Sequence, residues 1–490
     1  MSIELIQRAR RHGTRTAIVD ERDEHTYDSL LQASQCAASA LLRGSNDLGE
    51  ARVAFMVAPG FDYAALQWGI WRAGGIAVPL CLSHPAPELD YVLADTTASI
   101  VVADDVFCDR LGPLAHKGRI MLLRTSDVLH AQGRELPDVA GTRRAMILYT
   151  SGTTDRPKGV VTTHDNLRAQ IESLVQAWAW QPNDRILHVL PLHHTHGIVN
   201  VLLCALWSGA ACEMPRTFDA SRVWDRFLEG GLTLFMAVPT VYVKLIAAYE
   251  AAAPGRQRDL RKCCSQFRLM VSGSAALPVS TFTRWGEISG HALLERYGMT
   301  EIGMALSNPL RGERRPGTVG QPLPGVNVRL TGEDGAITKE GPGTIEVRGP
   351  GIFREYWDRP DATRNSFKGD WFLTGDVAVL EDGYYRILGR SSIDIIKTGG
   401  YKVSALEIEE ALRSHPDVSD CAVVGVEDAE WGERVCAAVV GGSANAEELQ
   451  SWLAERLAPY KLPRRWMRVD ELPRNAMGKV TKPDVKRLFS

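Results

Sequence analysis

The chain has 490 residues, 45% of them hydrophobic and 23% charged, with a formal net charge of −3. That is room for two or three domains around a large core, in the composition range of ordinary globular proteins. A charge so close to neutral gives no reason to expect a nucleic acid or an anionic membrane as partner, and no apolar run approaches the ~20 residues a spanning helix needs.

The first residues, MSIELIQRARRHG, are basic in the manner of a presequence. Acidic residues and a strand-like TAIVD follow at once, so a short amphipathic helix of the fold is the better reading. From Ala51 to Asp105 strands alternate with helices: ARVAFMV, GGIAVPL and ASIVVAD are extended, FDYAALQWGIWRA and APELDYVLAD helical. This alternation predicts an α/β domain with a largely parallel sheet. The same style continues through a helix in DNLRAQIESLVQAWAW, an extended RILHVLPL, a strand then a helix in LTLFMAVPTVYVKLIAAY, and a strand then a loop in FRLMVSGSAAL.

From about Gly317 short strands separated by Gly and Asp predict a β-rich subdomain reaching about residue 390. A small α+β unit follows, residues 391–490. Its first helix opens at Ser404-Ala405-Leu406-Glu407, which has the form of a capping box, and stops before Pro416. Nine scattered cysteines without a CxxC pair read as small core residues in a reducing compartment, here taken as the cytoplasm, and not as a zinc site.

The most informative stretch is Leu148 to Val161, LYTSGTTDRPKGVV. It predicts a strand that opens into a loop of small residues and re-enters a strand. Hydroxyls from Thr150, Ser151, Thr153 and Thr154, free backbone amides around Gly152, and the Lys158 ammonium together make a cradle for phosphate oxygens. The spacing is not that of a Walker loop, since Pro157 and Gly159 break it.

Five more segments accompany it: HVLPLHHTHG, ERYGMTEIGM, WFLTGDVAVLEDGYYRILGR, KTGGYKVSALEIEE and PRNAMGKVTK. In order and spacing the six resemble the core motifs of the adenylate-forming superfamily of acyl-CoA synthetases, amino-acid-activating domains and firefly-type luciferases. The resemblance implies a two-step ligase. A carboxylate attacks the α-phosphate of ATP, a small C-terminal domain rotates about a hinge near Ser391 to Asp394, and a thiol displaces AMP.

Carried onto this sequence, the resemblance implies that Thr150, Ser151, Gly152, Thr153, Thr154 and Lys158 line the phosphate loop. Thr300 contacts the α-phosphate, and Glu301 holds Mg²⁺. Asp376 accepts from the ribose hydroxyls with Arg390 beside it. Ser274, Ala275 and Ala276, with Tyr297, Gly298 and Met299, border the nucleotide. Lys479 reaches the α-phosphate and substrate carboxylate, and Gly399, Gly400 and Tyr401 line the path of CoA. His193 and His194 read as structural, whereas His196 beside Gly197 is a wall of the acyl and thiol pocket.

Within the superfamily the segments are most similar to malonyl-CoA synthetases, including those that accept methylmalonate. The deciding position is Arg296, immediately before YGMTE, where most monocarboxylate-activating relatives carry no cation. An arginine lining a small pocket seeks a planar anion, which a second carboxylate supplies. Glu295 is a poor competing partner because strand neighbours point to opposite faces. Ser272 and His196 are placed as helpers.

Two positions depart from the pattern. Asp155 stands where most relatives have glycine and puts an anion near a triphosphate, with Arg156 as compensation. At the hinge Ser392 replaces the usual Asp or Lys, and the run to Gly399 is one residue longer. Lys397 reads equally as an adenylate contact or an exposed lysine. The rival readings are a ligase for another short acid and a nucleotide-binding relative without catalysis. Lys479, in an exposed tail, is also a candidate for acylation, which would remove its charge.

Overall fold

The computed structural model describes residues 3–150, 156–332, 334–428, 430–474 and 480–489. Among them four sheets form. The first runs in the order Gln321–Pro322, Gly303–Ser307, Leu294–Met299, Leu269–Gly273, Leu234–Ala237, Arg185–Leu187, Ala211–Glu213, Thr16–Val19, Glu24–Thr26. Its inner pairings are parallel and its edges antiparallel. The second is centred on Arg52–Met56, flanked in parallel by Ile76–Pro79 and Ile100–Ala103. Its far side carries the antiparallel pair Arg144–Thr150 and Lys158–Thr163.

Strands buried on both faces explain the continuous apolar runs in the sequence: every residue of Ile76–Pro79, Ile100–Ala103 and Leu234–Ala237 is buried. Helices fill the layers between. In the helix Phe61–Arg72 the run Tyr63 to Trp71 is buried on all sides, with the indoles of Trp68 and Trp71 in the core. Such a helix belongs in an interior layer, where no solvent face is required. The basic first stretch forms the helix Glu4–Ala9, whose Leu5, Ile6 and Ala9 join the same core.

The β-rich stretch forms an antiparallel sheet in which Trp371–Glu381 pairs with both Gly343–Arg348 and Tyr384–Arg390. The last sheet is built from Ile395–Thr398, Tyr401–Ser404, Asp420–Asp428, Gly432–Val440 and Arg465–Arg468, with Ala405–Arg413 packed on it. Both large sheets with their helices, and the small α+β unit, match the α/β reading.

The capping box at Ser404 forms by half. Ser404 Oγ accepts from the Glu407 amide at 3.2 Å. The Glu407 carboxylate turns instead to Lys461, 2.6 Å away. An ammonium is a stronger partner for a carboxylate than a backbone amide, so the ion pair wins.

Candidate active site

Parallel pairing of Leu269–Gly273 with Leu294–Met299 sets Ser272 opposite Glu295 and Gly273 opposite Arg296. The Arg296 guanidinium therefore lies over the Gly273 backbone: a Cβ on Gly273 would stand 2.7 Å from its Cζ and Nε. The side chain is 2% exposed. Its Nη2 donates to Ser274 Oγ at 3.1 Å, and its Nε has no hydrogen-bond partner. No Asp or Glu of the described residues comes within 4.0 Å of it. Glu295 points elsewhere, one oxygen accepting the Leu277 amide at 3.0 Å.

Burial without a paired charge pushes Arg296 down to about 9 and Glu295 up to about 8. Burying an ion costs several kcal/mol unless an opposite charge and hydrogen bonds offset it. A buried guanidinium with an open Nε can take an anion, and no side chain among the described residues supplies one.

Two more groups border it. Ser274 Oγ lies 3.2 Å from His196 Nδ1, so one hydroxyl joins the arginine to the imidazole. Ser274 holds a left-handed backbone, φ +71°, uncommon for a residue with a Cβ and a mark of functional sites. The Ser272 hydroxyl is buried without a partner. His196 opens a π-helical turn, His196–Leu203, in the core. Gly197 is required there, since a Cβ would stand 2.3 Å from the Pro191 carbonyl. Rare π turns gather at functional sites.

On the other side of the same strand Tyr297 donates to Asp376 Oδ2 at 2.5 Å, and Arg390 Nε lies 3.1 Å from Oδ1. The Asp376 amide donates to Thr374 Oγ1 at 3.0 Å. Burial pushes the Tyr297 hydroxyl up, which keeps it a donor. Asp376 is 8% exposed, so its pairing with Arg390 is no surface contact.

A third group forms around Glu301, which is 6% exposed and accepts from the Tyr356 hydroxyl at 2.9 Å. Burial pushes its carboxyl up. Lys158 Nζ sits 5.1 Å from the centre of the same tyrosine ring. Thr150 and Lys158 face each other across the hairpin as the last and first paired residues of its strands. Ser151, Gly152, Thr153, Thr154, Asp155 and Lys479 lie outside the described residues. Ala275 and Ala276 are exposed, and Gly298, Met299 and Thr300 half-buried.

Gly399, Gly400 and Tyr401 are exposed at the turn between Ile395–Thr398 and Tyr401–Ser404. Tyr401 stacks on Tyr460, 4.2 Å between ring centres. None of the contacts named for these residues reaches the Arg296 group. Lys397 is exposed. At the turn before them Asp394 accepts the Arg390 amide at 3.0 Å and pairs with Lys482 at 3.3 Å.

Sequence reasoning missed Gly273, Tyr356 and Lys482. The motif VSGSAAL carried a signal for the first, a glycine wedged between two serines at a strand end. Nothing local marks Tyr356 or Lys482 as partners of residues 55 and 73 positions away.

Residues 5–357 match the model of the AMP-binding enzyme family, and residues 407–479 that of the AMP-binding enzyme C-terminal domain. A mitochondrial malonate–CoA ligase of Mus musculus is 47% identical, over 100% of this chain and 91% of its own length. A malonate–CoA ligase of Arabidopsis thaliana is 42% identical, over 91% of this chain and 79% of its own. The crystal structure of ATP-bound MatB from Rhodopseudomonas palustris superposes with a TM-score of 0.92 at 34% identity, covering 100% of this chain and 99% of that one. The fold is thus that of a known lineage, and the chain belongs to the AMP-binding enzyme family.

Proposed function

We propose that this enzyme is an ATP-dependent acid–thiol ligase that makes malonyl-CoA from malonate, ATP and CoA, releasing AMP and pyrophosphate. The observation that carries the substrate is the buried Arg296 guanidinium, seated on Gly273 with no carboxylate partner among the described residues. The names of the mouse and Arabidopsis relatives point the same way.

Arg296, with Ser272, Ser274 and His196 beside it, holds the distal carboxylate of the diacid. The near carboxylate attacks the α-phosphorus of ATP. A P–O bond forms to the acid, the α–β phosphoanhydride bond breaks, and pyrophosphate leaves. Thr150, Ser151, Gly152, Thr153, Thr154 and Lys158 hold the departing phosphates, Thr300 and Lys479 the α-phosphate. Charge placed in advance where negative charge develops is the main source of such catalysis. Asp376, fixed by Tyr297 and Arg390, receives the ribose hydroxyls, while Ala275, Ala276, Gly298 and Met299 border the base.

Mg²⁺ fits Glu301: a single buried carboxylate, oriented by Tyr356, leaves the remaining positions to phosphate oxygens and water, as this cation prefers. Bound there it would neutralise phosphate charge. In the second half-reaction residues 391–490 turn about the Ser391 to Asp394 segment and bring Gly399, Gly400 and Tyr401 to the cleft. The CoA thiolate then attacks the acyl carbon, and the C–O bond to AMP breaks.

Methylmalonate differs by one methyl group, worth about 1–3 kcal/mol in a close-fitting pocket, and is the second acid proposed. Nine cysteines that form no disulfide suit a reducing compartment. The cytoplasm or the mitochondrial interior would serve, the latter named for the mouse relative.

The test is pyrophosphate release and CoA-ester mass with malonate, methylmalonate, succinate, acetate or no acid. Malonate should lead, with malonyl-CoA as product and acetate far behind. Equal use of acetate would remove the diacid reading, and no acid-dependent release would remove the ligase reading.

A further inference from the structure

Cys81 lies just beyond the strand Ile76–Pro79, and its thiol is only 5% exposed. Three polar side chains surround it. Ser83 Oγ is 3.2 Å from the sulfur, and the imidazoles of His193 and His84 both face it, their ring centres 6.1 Å apart. Titratable neighbours flank both imidazoles: Glu88 lies 3.3 Å from His84 Nε2, the Arg110 guanidinium is close by, donating to the Leu82 carbonyl at 2.8 Å, and the His194 ring lies 4.0 Å from that of His193. Burial would raise the thiol, but hydrogen bonding to His193, His84 and Ser83 outweighs it and holds the group down to about 5. The same contact raises His84. A thiolate paired with imidazolium is the arrangement that makes cysteines reactive, whereas buried structural cysteines are inert.

The ligase chemistry makes no use of this group. The other buried cysteines provide the contrast. Burial pushes Cys204, Cys212 and Cys421 well up, with no imidazole to oppose it. No group of three His, Cys, Asp or Glu side chains among the described residues is arranged to hold a metal ion.

We propose that Cys81 is a modification site, a thiolate held by His84 and His193 that small hydroperoxides oxidise to sulfenic acid. The sulfur attacks one peroxide oxygen. An S–O bond forms and the O–O bond breaks; the sulfur gives up two electrons, and the hydroxide that leaves takes a proton to become water. A small-molecule thiol reverses the change by condensing with the sulfenic acid, releasing water, and a second thiol frees Cys81 from the resulting disulfide. With so little of Cys81 exposed, small reagents such as hydrogen peroxide are favoured over bulky disulfides. His193 lies three residues before His196, in the segment that enters the π-helical turn. The oxygen added to a sulfur with so little free space displaces His193 and shifts that segment, so oxidation lowers malonate use, an effect that rests on the proposed function. The chemistry at sulfur does not.

The experiment uses the full chain and maps labelled peptides by mass spectrometry. Iodoacetamide should label Cys81 with a midpoint below about pH 6.5, ordinary thiols only near 8.5. His84→Asn and His193→Asn should each raise the Cys81 midpoint by at least about one pH unit. Hydrogen peroxide followed by dimedone should tag Cys81, and glutathione disulfide should leave it untouched. Cys81→Ser should keep ligase activity and lose its sensitivity to peroxide. A Cys81 midpoint near 8 or above, unchanged by either histidine substitution, overturns the proposal, as does dimedone tagging that falls on other cysteines and spares Cys81. If tagging occurs at Cys81 without loss of ligation, the chemistry stands and the link to malonate use falls.

Discussion

Two neighbouring residues on one strand solve opposite problems. Arg296 is a buried cation with no carboxylate partner among the described residues, and Glu295 is a buried acid that burial keeps neutral at moderate pH. The arginine was legible in the sequence as a cation directly before YGMTE, where most monocarboxylate-activating relatives carry none. The glutamate's isolation follows from strand alternation, also legible. Its consequence for stability was not, because burial depends on what packs over the strand. Glu295 titrates near 8 in the folded chain and at its ordinary 4.5 when unfolded. Between those values the native state binds more protons, so this group makes stability fall as pH rises, by up to about 1.4 kcal/mol per pH unit. Glu295→Gln keeps an acceptor for the Leu277 amide and removes the dependence. Urea denaturation from pH 5 to 9 should show a flatter profile for the variant. Identical profiles would mean that Glu295 ionises normally.

At the scale of elements, the parallel pair Leu269–Gly273 and Leu294–Met299 is the frame of the site. Register, not proximity in sequence, brings Gly273 under Arg296, and hydrophobic periodicity alone does not give register between distant strands. Periodicity did give the strands themselves, the helix Phe61–Arg72 and the two strands Arg144–Thr150 and Lys158–Thr163. It also gave the start of Ala405–Arg413, but not Lys461, which takes the Glu407 carboxylate from its expected capping role. Gly273→Ala tests the frame. The added methyl displaces the guanidinium by about the 1 Å that costs 10²-fold in a positioned site. Malonate kcat/KM should fall by that order with little change in Tm. A fall in Tm alone would point to a structural role for this glycine.

Across the whole molecule the two large sheets hold Arg296 and the hairpin Arg144–Thr150 and Lys158–Thr163, Glu301 sits in the turn between Leu294–Met299 and Gly303–Ser307, and the β-rich sheet supplies Asp376 and Arg390. The small unit meets the rest where Glu410 accepts the Val279 amide at 2.9 Å, at the start of the helix Val279–Ser289. Lys482, buried against Glu409 and Asp394, ties the tail that follows Lys479 to the turn after Arg390. This long-range pairing was invisible in the sequence, which showed only a lysine in a polar tail. Lys479→Gln, a charge-neutral mimic of acylation, should abolish adenylation and spare transfer from preformed malonyl-AMP to CoA. Equal loss of both half-reactions would show that the lysine serves each arrangement of the small unit, and normal adenylation would remove it from the reaction.

On the proposed reading, the guanidinium on Gly273 is what selects a diacid. The most direct measurement is kcat/KM for malonate and for acetate in the wild type and in Arg296→Ala. A polar site that loses its partner discriminates by roughly 10⁴-fold. The malonate value should fall by about that factor, and the acetate value should hold or rise. If both acids lose activity equally, Arg296 supports the fold or the nucleotide and does not read the second carboxylate.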